Sequence, residues 1–230
     1  MKNRLVAAAV FAAFGFSGLA IAADMPVKAR VMAPAASWTG CYIGANVGGG
    51  RSPVDVFDPP TGLVDAYLRG TGVVGGGQIG CDYQMGAWVF GVQGMFDLSG
   101  MRDKQDDPIF GGFADGAKSR WFGTATARLG YSFIPAVLVY AKGGAAWIRY
   151  DYTNYFLGAV NGTADVTRTG WTAGGGIEWM FAPSWSVFAE YDHMDFGSNS
   201  TSYGTFNQNT NNQKVDVGLI GINYRFNGIR

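Results

Sequence analysis

Residues 213–226, QKVDVGLIGINYRF, decide the fold of this chain. Every second residue from the end of the stretch is aromatic or apolar: Phe226, Tyr224, Ile222 and Ile220. The residues between them are small or polar: Arg225, Asn223 and Gly221. This alternation predicts a strand with one apolar side. A strand of a soluble sandwich alternates in this way, and so does a strand whose outer side meets lipid, so the rest of the chain must separate the two.

The first residues predict a secretory signal peptide. Lys2 and Arg4 precede an apolar run at 5–19, and Ala-Ile-Ala at 20–22 provides a small-x-small cleavage site. A membrane anchor is the alternative, but the run is shorter than the ~20 apolar residues of a spanning helix. The predicted segments are a signal peptide at 1–22, a flexible lead-in at 23–37, a folded domain at 38–226 and a C-terminal extension at 227–230.

Composition restricts the class of protein. Without Lys2 and Arg4, 15 of the 17 basic residues remain beside 17 acidic ones, a balance that gives no reason to expect a nucleic-acid partner. After the signal, no apolar run approaches the length of a spanning helix, so membrane entry requires a closed barrel. The 36 glycines and the 15% aromatic content are unusual for a soluble domain, whereas barrels tolerate both.

Eight segments repeat the alternating pattern for about ten residues each. They are 38–49, 73–84, 88–98, 120–133, 137–150, 168–181, 185–196 and 213–226. Short turns at 85–87, 134–136 and 182–184 alternate with long polar connections at 50–72, 99–119, 151–167 and 197–212. Outer-membrane barrels show this alternation of periplasmic turns and outer loops, and a sandwich has no reason to keep it. The prediction is an all-β, eight-stranded antiparallel up-and-down transmembrane barrel.

Charges in the middle of the segments fall on the inward face. Arg128 and Lys142 lie on one set of strands, Glu178 and Glu190 on another, and the alternation also places Arg120 inward. Uncompensated charge inside a narrow barrel is costly, so we expect opposite charges to pair. Side chains fill a lumen of eight strands, whereas water-filled porins use ~16 strands. We therefore predict a polar plug, with a gated or narrow ion path as the alternative.

Aromatic residues gather at the ends of the segments. Those near the short turns are Trp38, Trp88, Tyr131, Phe133, Phe181, Trp185 and Phe226, and those near the loops are Trp147 and Phe196. Aromatic girdles at the two membrane interfaces explain them. A sugar-binding platform is the alternative, but it needs a pocket that the sequence does not show.

Two motifs suggest chemistry that the context does not support. Residues 75–80, GGGQIG, satisfy G-x-G-x-x-G, but no helix follows to bind a pyrophosphate, so no dinucleotide site is predicted. His193 is the only histidine, near the loop end of the seventh segment. A lipid-modifying catalytic site would pair it with a serine. Ser198 and Ser200 are within reach, but no serine has an adjacent same-face position, so an interface histidine is predicted.

Cys41 and Cys81 fall on neighbouring strands of a chain exported to an oxidising compartment. If Gly50 lies opposite Gly72, the register places the two cysteines opposite each other on the lipid-facing side. A cross-strand disulfide and two free thiols both stay open, because disulfides between adjacent strands are often strained. No further Cys or His completes a metal site, and no cofactor is predicted.

Several blocks resemble a known family. They are WTGCYIGANVGGG from Trp38, GGGQIGCDYQ from Gly75, TATARLGYSF from Thr124, LVYAKGGAAW from Leu138 and the terminal VGLIGINYRF. Together they resemble the small alphaproteobacterial outer-membrane proteins, the twenty-five and thirty-one kilodalton group of the opacity-like barrel superfamily. Gly221, Tyr224 and Phe226 resemble the C-terminal signal recognised by the barrel-assembly machinery. Leu219 and the extension after Phe226 depart from that signal.

The resemblance implies a non-enzymatic surface barrel in the outer membrane that supports envelope integrity. Its expected partners are outer-membrane lipid and lipopolysaccharide, the barrel-assembly machinery, and a host or surface ligand at the outer loops. Some relatives carry a porin label, so a small porin is the first alternative, and a lipid A-modifying enzyme that depends on His193 is the second. Some relatives are reported to bind haemin, but the outer loops here contain no histidine, so this ligand is not expected.

Overall fold

The computed structural model describes residues 37–57, 64–106, 113–156, 159–197, 199–203, 206–211 and 213–227. The predicted signal peptide, the lead-in before Ser37 and residues 228–230 of the predicted extension lie outside these residues, whereas Asn227, the first residue of that extension, belongs to the last strand. In the described part of the chain, no helix has the length and apolar character that a membrane crossing requires.

Eleven antiparallel strands form one sheet. They are β1 (Gly40–Phe57), β2 (Val64–Met85), β3 (Trp88–Ser99), β4 (Arg102–Asp106), β5 (Phe113–Ile134), β6 (Val137–Phe156), β7 (Ala159–Ala182), β8 (Trp185–Asp195), β9 (Asn199–Tyr203), β10 (Phe206–Asn211) and β11 (Lys214–Asn227). β4, β9 and β10 are short: β4 pairs with the loop end of β5, β10 pairs with the loop end of β1, and β9 pairs with β10.

The eight long strands close into a barrel. β11 pairs with β1 from Gly40↔Asn227 to Arg51↔Asp216, so the last strand of the chain meets the first. The predicted eight-stranded antiparallel barrel is confirmed. Tight turns join β2 to β3, β5 to β6 and β7 to β8. In the first of these turns Gly86 has a φ of 64°, a left-handed conformation that favours glycine.

The strands continue farther into the predicted loops than the sequence indicates. β6 ends at Phe156 rather than at residue 150, and β7 begins at Ala159 rather than at residue 168. The prediction followed the apolar alternation, which ends where a strand leaves the apolar band. Main-chain hydrogen bonds continue the ladder without any apolar face, so the predicted strand ends were wrong on the loop side.

The two faces of the wall follow the predicted alternation. Along β8 every second side chain is buried, from Ser186 to Met194. Arg120 is an exception to the predicted faces, because the register shifts between Ser119 and Trp121 and turns its side chain outward, where it pairs with Asp151. Charged side chains are thus exposed on the outer surface at the loop end of the wall.

Aromatic girdles surround both ends of the apolar outer surface. Near the turns, Tyr131 packs edge-on against Trp88 and Phe133, and Tyr224 packs edge-on against Trp185. Exposed tryptophans near the loops include Trp147 and Trp171. Trp38 and Phe196 were wrongly predicted in these girdles: both are buried inside the barrel. Alternation assigns a face poorly at strand ends, where the chain leaves the ladder.

Candidate functional site in the barrel lumen

The barrel interior consists of three layers. An apolar cluster closes the turn end: Trp38, Val89, Leu138, Tyr140 and Met180. A larger apolar cluster fills the loop end: Val74, Met95, Met101, Phe122, Ala146, Ile148, Tyr150, Phe188, Met194, Phe196, Val215, Val217 and Leu219. Buried charged side chains lie between the two clusters. The predicted polar plug therefore describes only the middle layer, and the interior is not polar throughout.

Arg128 and Glu178 form the first part of this charged layer. Arg128 Nη2 on β5 donates to Glu178 Oε2 on β7, two strands along the wall, and both side chains are almost completely inaccessible. Arg225 donates to Asp82 Oδ2 at 3.0 Å and lies 3.6 Å from Glu178 Oε1. Arg128 Nη1 lies 3.8 Å from the same Asp82 oxygen. Two cations and two carboxylates thus surround one another, which offsets the cost of burying them.

Lys142 organises the second part of the charged layer. Its Nζ lies 2.6 Å from Glu190 Oε1, 2.9 Å from Asp192 Oδ2 and 3.3 Å from Gln93 Oε1. Tyr140 joins this part to the first, because its hydroxyl donates to Glu190 at 2.7 Å and its ring lies 3.7 Å from the Arg128 guanidinium carbon. The charged layer is one connected network.

Neutral polar side chains satisfy the remaining positions of Glu178. Ser186 Oγ and Asn223 Nδ2 donate to Glu178 Oε1 at 2.6 and 3.0 Å. Gln78 Nε2 donates to Asn223 Oδ1 at 2.7 Å, and Asn46 Nδ2 donates to Gln78 Oε1 at 2.8 Å. This amide chain crosses from β11 through β2 to β1. It extends the network to β1, which contributes no charged side chain to it.

Trp38 seals the turn end below the charges. Its indole Nε1 donates to the Pro135 carbonyl at 3.1 Å, so it is tied to the turn between β5 and β6. Its own carbonyl accepts a 2.6 Å hydrogen bond from Arg225 Nη1, whose guanidinium also lies over the indole ring. The indole is fully buried. Trp38 therefore closes the turn end of the lumen and is held in place by both the wall and the charged layer.

Glycines in the wall make room for the inward carboxylates and amides. The side chain of Asp82 lies over Gly91, and that of Asp192 lies over Gly174 on the neighbouring strand. Asn223 occupies the same position over Gly44. A Cβ at any of these glycines would collide with the polar side chain. Crowding of the lumen thus explains part of the high glycine content.

The four charged residues predicted for the lumen all lie in this network. The structure brings Arg128 to Glu178 and Lys142 to Glu190. The sequence prediction omitted the other members, among them Asp82, Asp192, Arg225, Tyr140 and Trp38. The alternation that placed Arg128 inward also applies to Asp82, Asp192 and Arg225, so their positions were available from the pattern. The position of Trp38 was not, because it precedes the first strand.

The other predicted site residues lie on or in the wall. Cys41 lies opposite Cys81, as Gly50 lies opposite Gly72, which confirms the predicted register. The structure joins the two sulfurs at 2.06 Å. Both cysteines lie on the outward face.

The residues of the resembled assembly signal all lie on β11. Tyr224 and Phe226 are exposed and pack edge-on, with ring centroids 5.2 Å apart. Gly221 lies under the Phe188 ring on the inward face. His193, the histidine of the enzyme alternative, has Ala173 and Asp216 as cross-strand neighbours. Ser198, which that alternative would use, lies outside the described residues.

Known proteins resemble nearly the whole chain. A family model described as an outer membrane protein beta-barrel domain matches residues 8–226. The 31 kDa outer-membrane immunogenic protein of Brucella melitensis is 32% identical over 98% of this chain and 100% of its own length. The 22 kDa outer membrane protein of Rhizobium leguminosarum is 29% identical over 86% of this chain and 82% of its own. Among solved structures, OprG from Pseudomonas aeruginosa covers 83% of this chain and 97% of its own, with 12% identity and a TM-score of 0.49.

Proposed function

This chain belongs to the outer membrane protein β-barrel family, and on that premise we propose that it is a closed structural barrel that presents its loops at the cell surface. The predicted family is confirmed, and the protein resides in the outer membrane of a Gram-negative bacterium. Its role there is to support the envelope and to offer a surface for contact, without passing solutes and without catalysis.

The buried charge network is the observation that carries this proposal. Side chains from all eight wall strands meet in it, between two apolar clusters. A solute path would have to pass Trp38 at one end and Phe122 at the other, both fully buried. Water-filled porins avoid such packing by using ~16 strands or more. The interior therefore favours a closed barrel over a small porin.

The loop ends support the surface role. The paired ladder of β6 and β7 continues to Phe156↔Ala159, well beyond the outer girdle at Trp147 and Trp171. A paired hairpin of this kind extends beyond the membrane interface, where it is accessible to a partner.

Single-channel recording in planar bilayers tests the closed barrel. The refolded wild-type protein should show no discrete conductance steps, and Glu190→Ala should also show none, because Lys142 retains Asp192 at 2.9 Å. A variant that removes packing from all three layers, Trp38→Ala with Arg128→Ala and Phe122→Ala, serves as the opened control. Discrete steps in the wild type that Glu190→Ala alters would refute the closed barrel and establish a porin.

A further inference from the structure

A polar row crosses the outward surface at the loop end of β8, β11 and β1. Arg51 lies directly opposite Asp216, and Asp216 lies directly opposite His193. Asp216 accepts three hydrogen bonds: from Arg51 Nε at 3.1 Å, His193 Nδ1 at 2.7 Å and Tyr191 Oη at 2.6 Å. Both oxygens of the carboxylate thus accept hydrogen bonds. Because Arg51 contacts Asp216 through Nε and its side chain is 71% exposed, its guanidinium is accessible to a second acceptor.

A hollow lies in the wall immediately below this row. In the next outward row, Tyr191, Gly218, Gly49 and Val73 lie side by side on four neighbouring strands. A Cβ at Gly218 would meet nothing within 4 Å, and one at Gly49 would meet only the Gly72 carbonyl at 4.0 Å. The hollow has a volume of about 420 Å³, and Arg51 and Asp216 line its upper edge. Two adjacent glycines therefore form its floor, with Tyr191 beside Gly218 and Val73 beside Gly49 in the same row.

The position of the hollow identifies the molecule that it meets. Val47 and Ile220, one outward row farther from the loops, are exposed apolar side chains of the lipid-facing surface. Trp171 of the outer girdle lies against the His193 ring, with centroids 5.8 Å apart. The glycine floor is therefore within the apolar band, and the polar row is at its outer edge. At this level an outer-leaflet lipid places its headgroup beside the row and its acyl chains beside the floor.

The chemistry of the row selects among lipids. Arg51 presents a guanidinium fork, which pairs with phosphate through two parallel hydrogen bonds. Asp216 does not repel an anion strongly, because three donors already surround it. Arg149 and Asp165 form a second outward pair, with 2.8 Å between Arg149 Nη2 and Asp165 Oδ2. The hydrogen bond that Arg149 donates lowers the pKa of the Asp165 carboxyl. No comparable glycine floor accompanies that pair, because Trp147 lies in the outward row below Arg149.

We propose that this hollow binds one phosphorylated lipid of the outer leaflet, with the phosphate on Arg51 and an acyl chain across Gly49 and Gly218. Tyr191 and His193 flank the phosphate, and Asp216 positions all three donors. The site requires only that the barrel resides in the outer membrane. It does not depend on whether the lumen conducts or whether the loops bind a partner.

Native mass spectrometry of the refolded protein in detergent tests the site. Wild-type protein, titrated with diphosphorylated lipid A, should retain one tightly bound lipid. Arg51→Gln should weaken retention about tenfold, the effect of losing one charge-assisted hydrogen-bonded contact. Gly218→Leu should weaken it similarly, because the side chain fills the floor without touching the backbone. Phosphatidylethanolamine and inorganic phosphate form two further arms of the titration.

Matched control variants distinguish a specific lipid site from a general attraction of lipid A to the protein surface. Arg120→Gln removes another exposed arginine, paired with Asp151, and Gly94→Leu fills another lipid-facing glycine. Both should retain lipid A as the wild type does. Equal losses in Arg51→Gln and Arg120→Gln, or no loss in Gly218→Leu, would overturn the proposal. Inorganic phosphate that displaces lipid A at millimolar concentration would also overturn it, because an anion site without acyl recognition would remain.

Discussion

Two glycine-to-alanine substitutions on β3 should change stability in opposite directions. Gly91 faces the lumen and Gly94 faces lipid, three residues apart on the same strand. A Cβ at Gly91 would lie well inside contact distance of Asp82 Oδ1 and 3.0 Å from the Cys81 carbonyl oxygen. A Cβ at Gly94 would have its nearest neighbour, Ile79 Cγ2, at 3.9 Å. The first substitution intrudes on a filled space, and the second makes an ordinary contact.

The magnitude at Gly91 follows from what the displaced carboxylate holds. Overpacking a filled interior costs about 1–3 kcal/mol. Asp82 is fixed by Arg225 at 3.0 Å and has Arg128 at 3.8 Å, so moving it also disturbs a buried ion pair, which costs about 3–5 kcal/mol to break. We expect Gly91→Ala to lower the free energy of unfolding by about 3 kcal/mol, where the two ranges meet. Gly94→Ala should raise it by about 0.5–1 kcal/mol, because glycine weakens a strand by that amount.

Urea unfolding of the barrel in lipid vesicles measures both values. Tryptophan fluorescence follows the transition, and heat-modifiable migration in gels checks that each variant has folded. Equal transition midpoints for the two variants would contradict the reasoning, since they would show that Asp82 does not depend on the space above Gly91. If Gly94→Ala lowered the free energy of unfolding as much as Gly91→Ala, the reasoning would also be contradicted, because any added methyl group would then destabilise the wall.

Three further predictions concern other parts of the barrel. Glu178→Gln should lower the free energy of unfolding by about 3–5 kcal/mol in urea titrations, because two buried arginines lose a charged partner, whereas the exposed Asp165→Asn should leave it unchanged within error. Denatured, unreduced protein should take up no iodoacetamide at Cys41 and Cys81, and reduction should lower stability by about 2–4 kcal/mol; labelling of both thiols would contradict this. Trp38→Ala should lower the free energy of unfolding by about 3–5 kcal/mol. It should still show no conductance steps in planar bilayers, because the charged layer above Trp38 stays intact.

The sequence predicted the barrel better than it predicted the site. Strand number, closure and the two faces follow from the period of two, which one buried and one lipid-facing side impose on every strand. The alternation does not show which of the inward charges pair with each other. Arg128 on β5 reaches over β6 to Glu178 on β7, and the level of each residue depends on the shear of the closed barrel. The outward turn of Arg120 depends on a bulge that the alternation does not reveal.

The charged layer and the glycine-rich strands of the wall depend on each other. Glycine-rich strands specify register weakly, because few side chains lock one strand against the next. Each of the eight wall strands contributes a side chain to the network: Tyr42, Asp82, Gln93, Arg128, Lys142, Glu178, Glu190 and Arg225. A slip of one residue would turn such a side chain towards lipid, and a slip of two would move it by ~7 Å, beyond hydrogen-bond reach.

Either slip would leave the former partner of the displaced side chain buried and charged without a counter-charge. An unpaired buried charge is strongly destabilising. The glycines make room for Asp82, Asp192 and Asn223 in the narrow lumen, and the ions in turn penalise every register except one. On this reasoning the network specifies the arrangement of the strands more than it adds net stability. A plug that only had to fill the lumen would need no charge, whereas one that aligns eight glycine-rich strands requires directional partners.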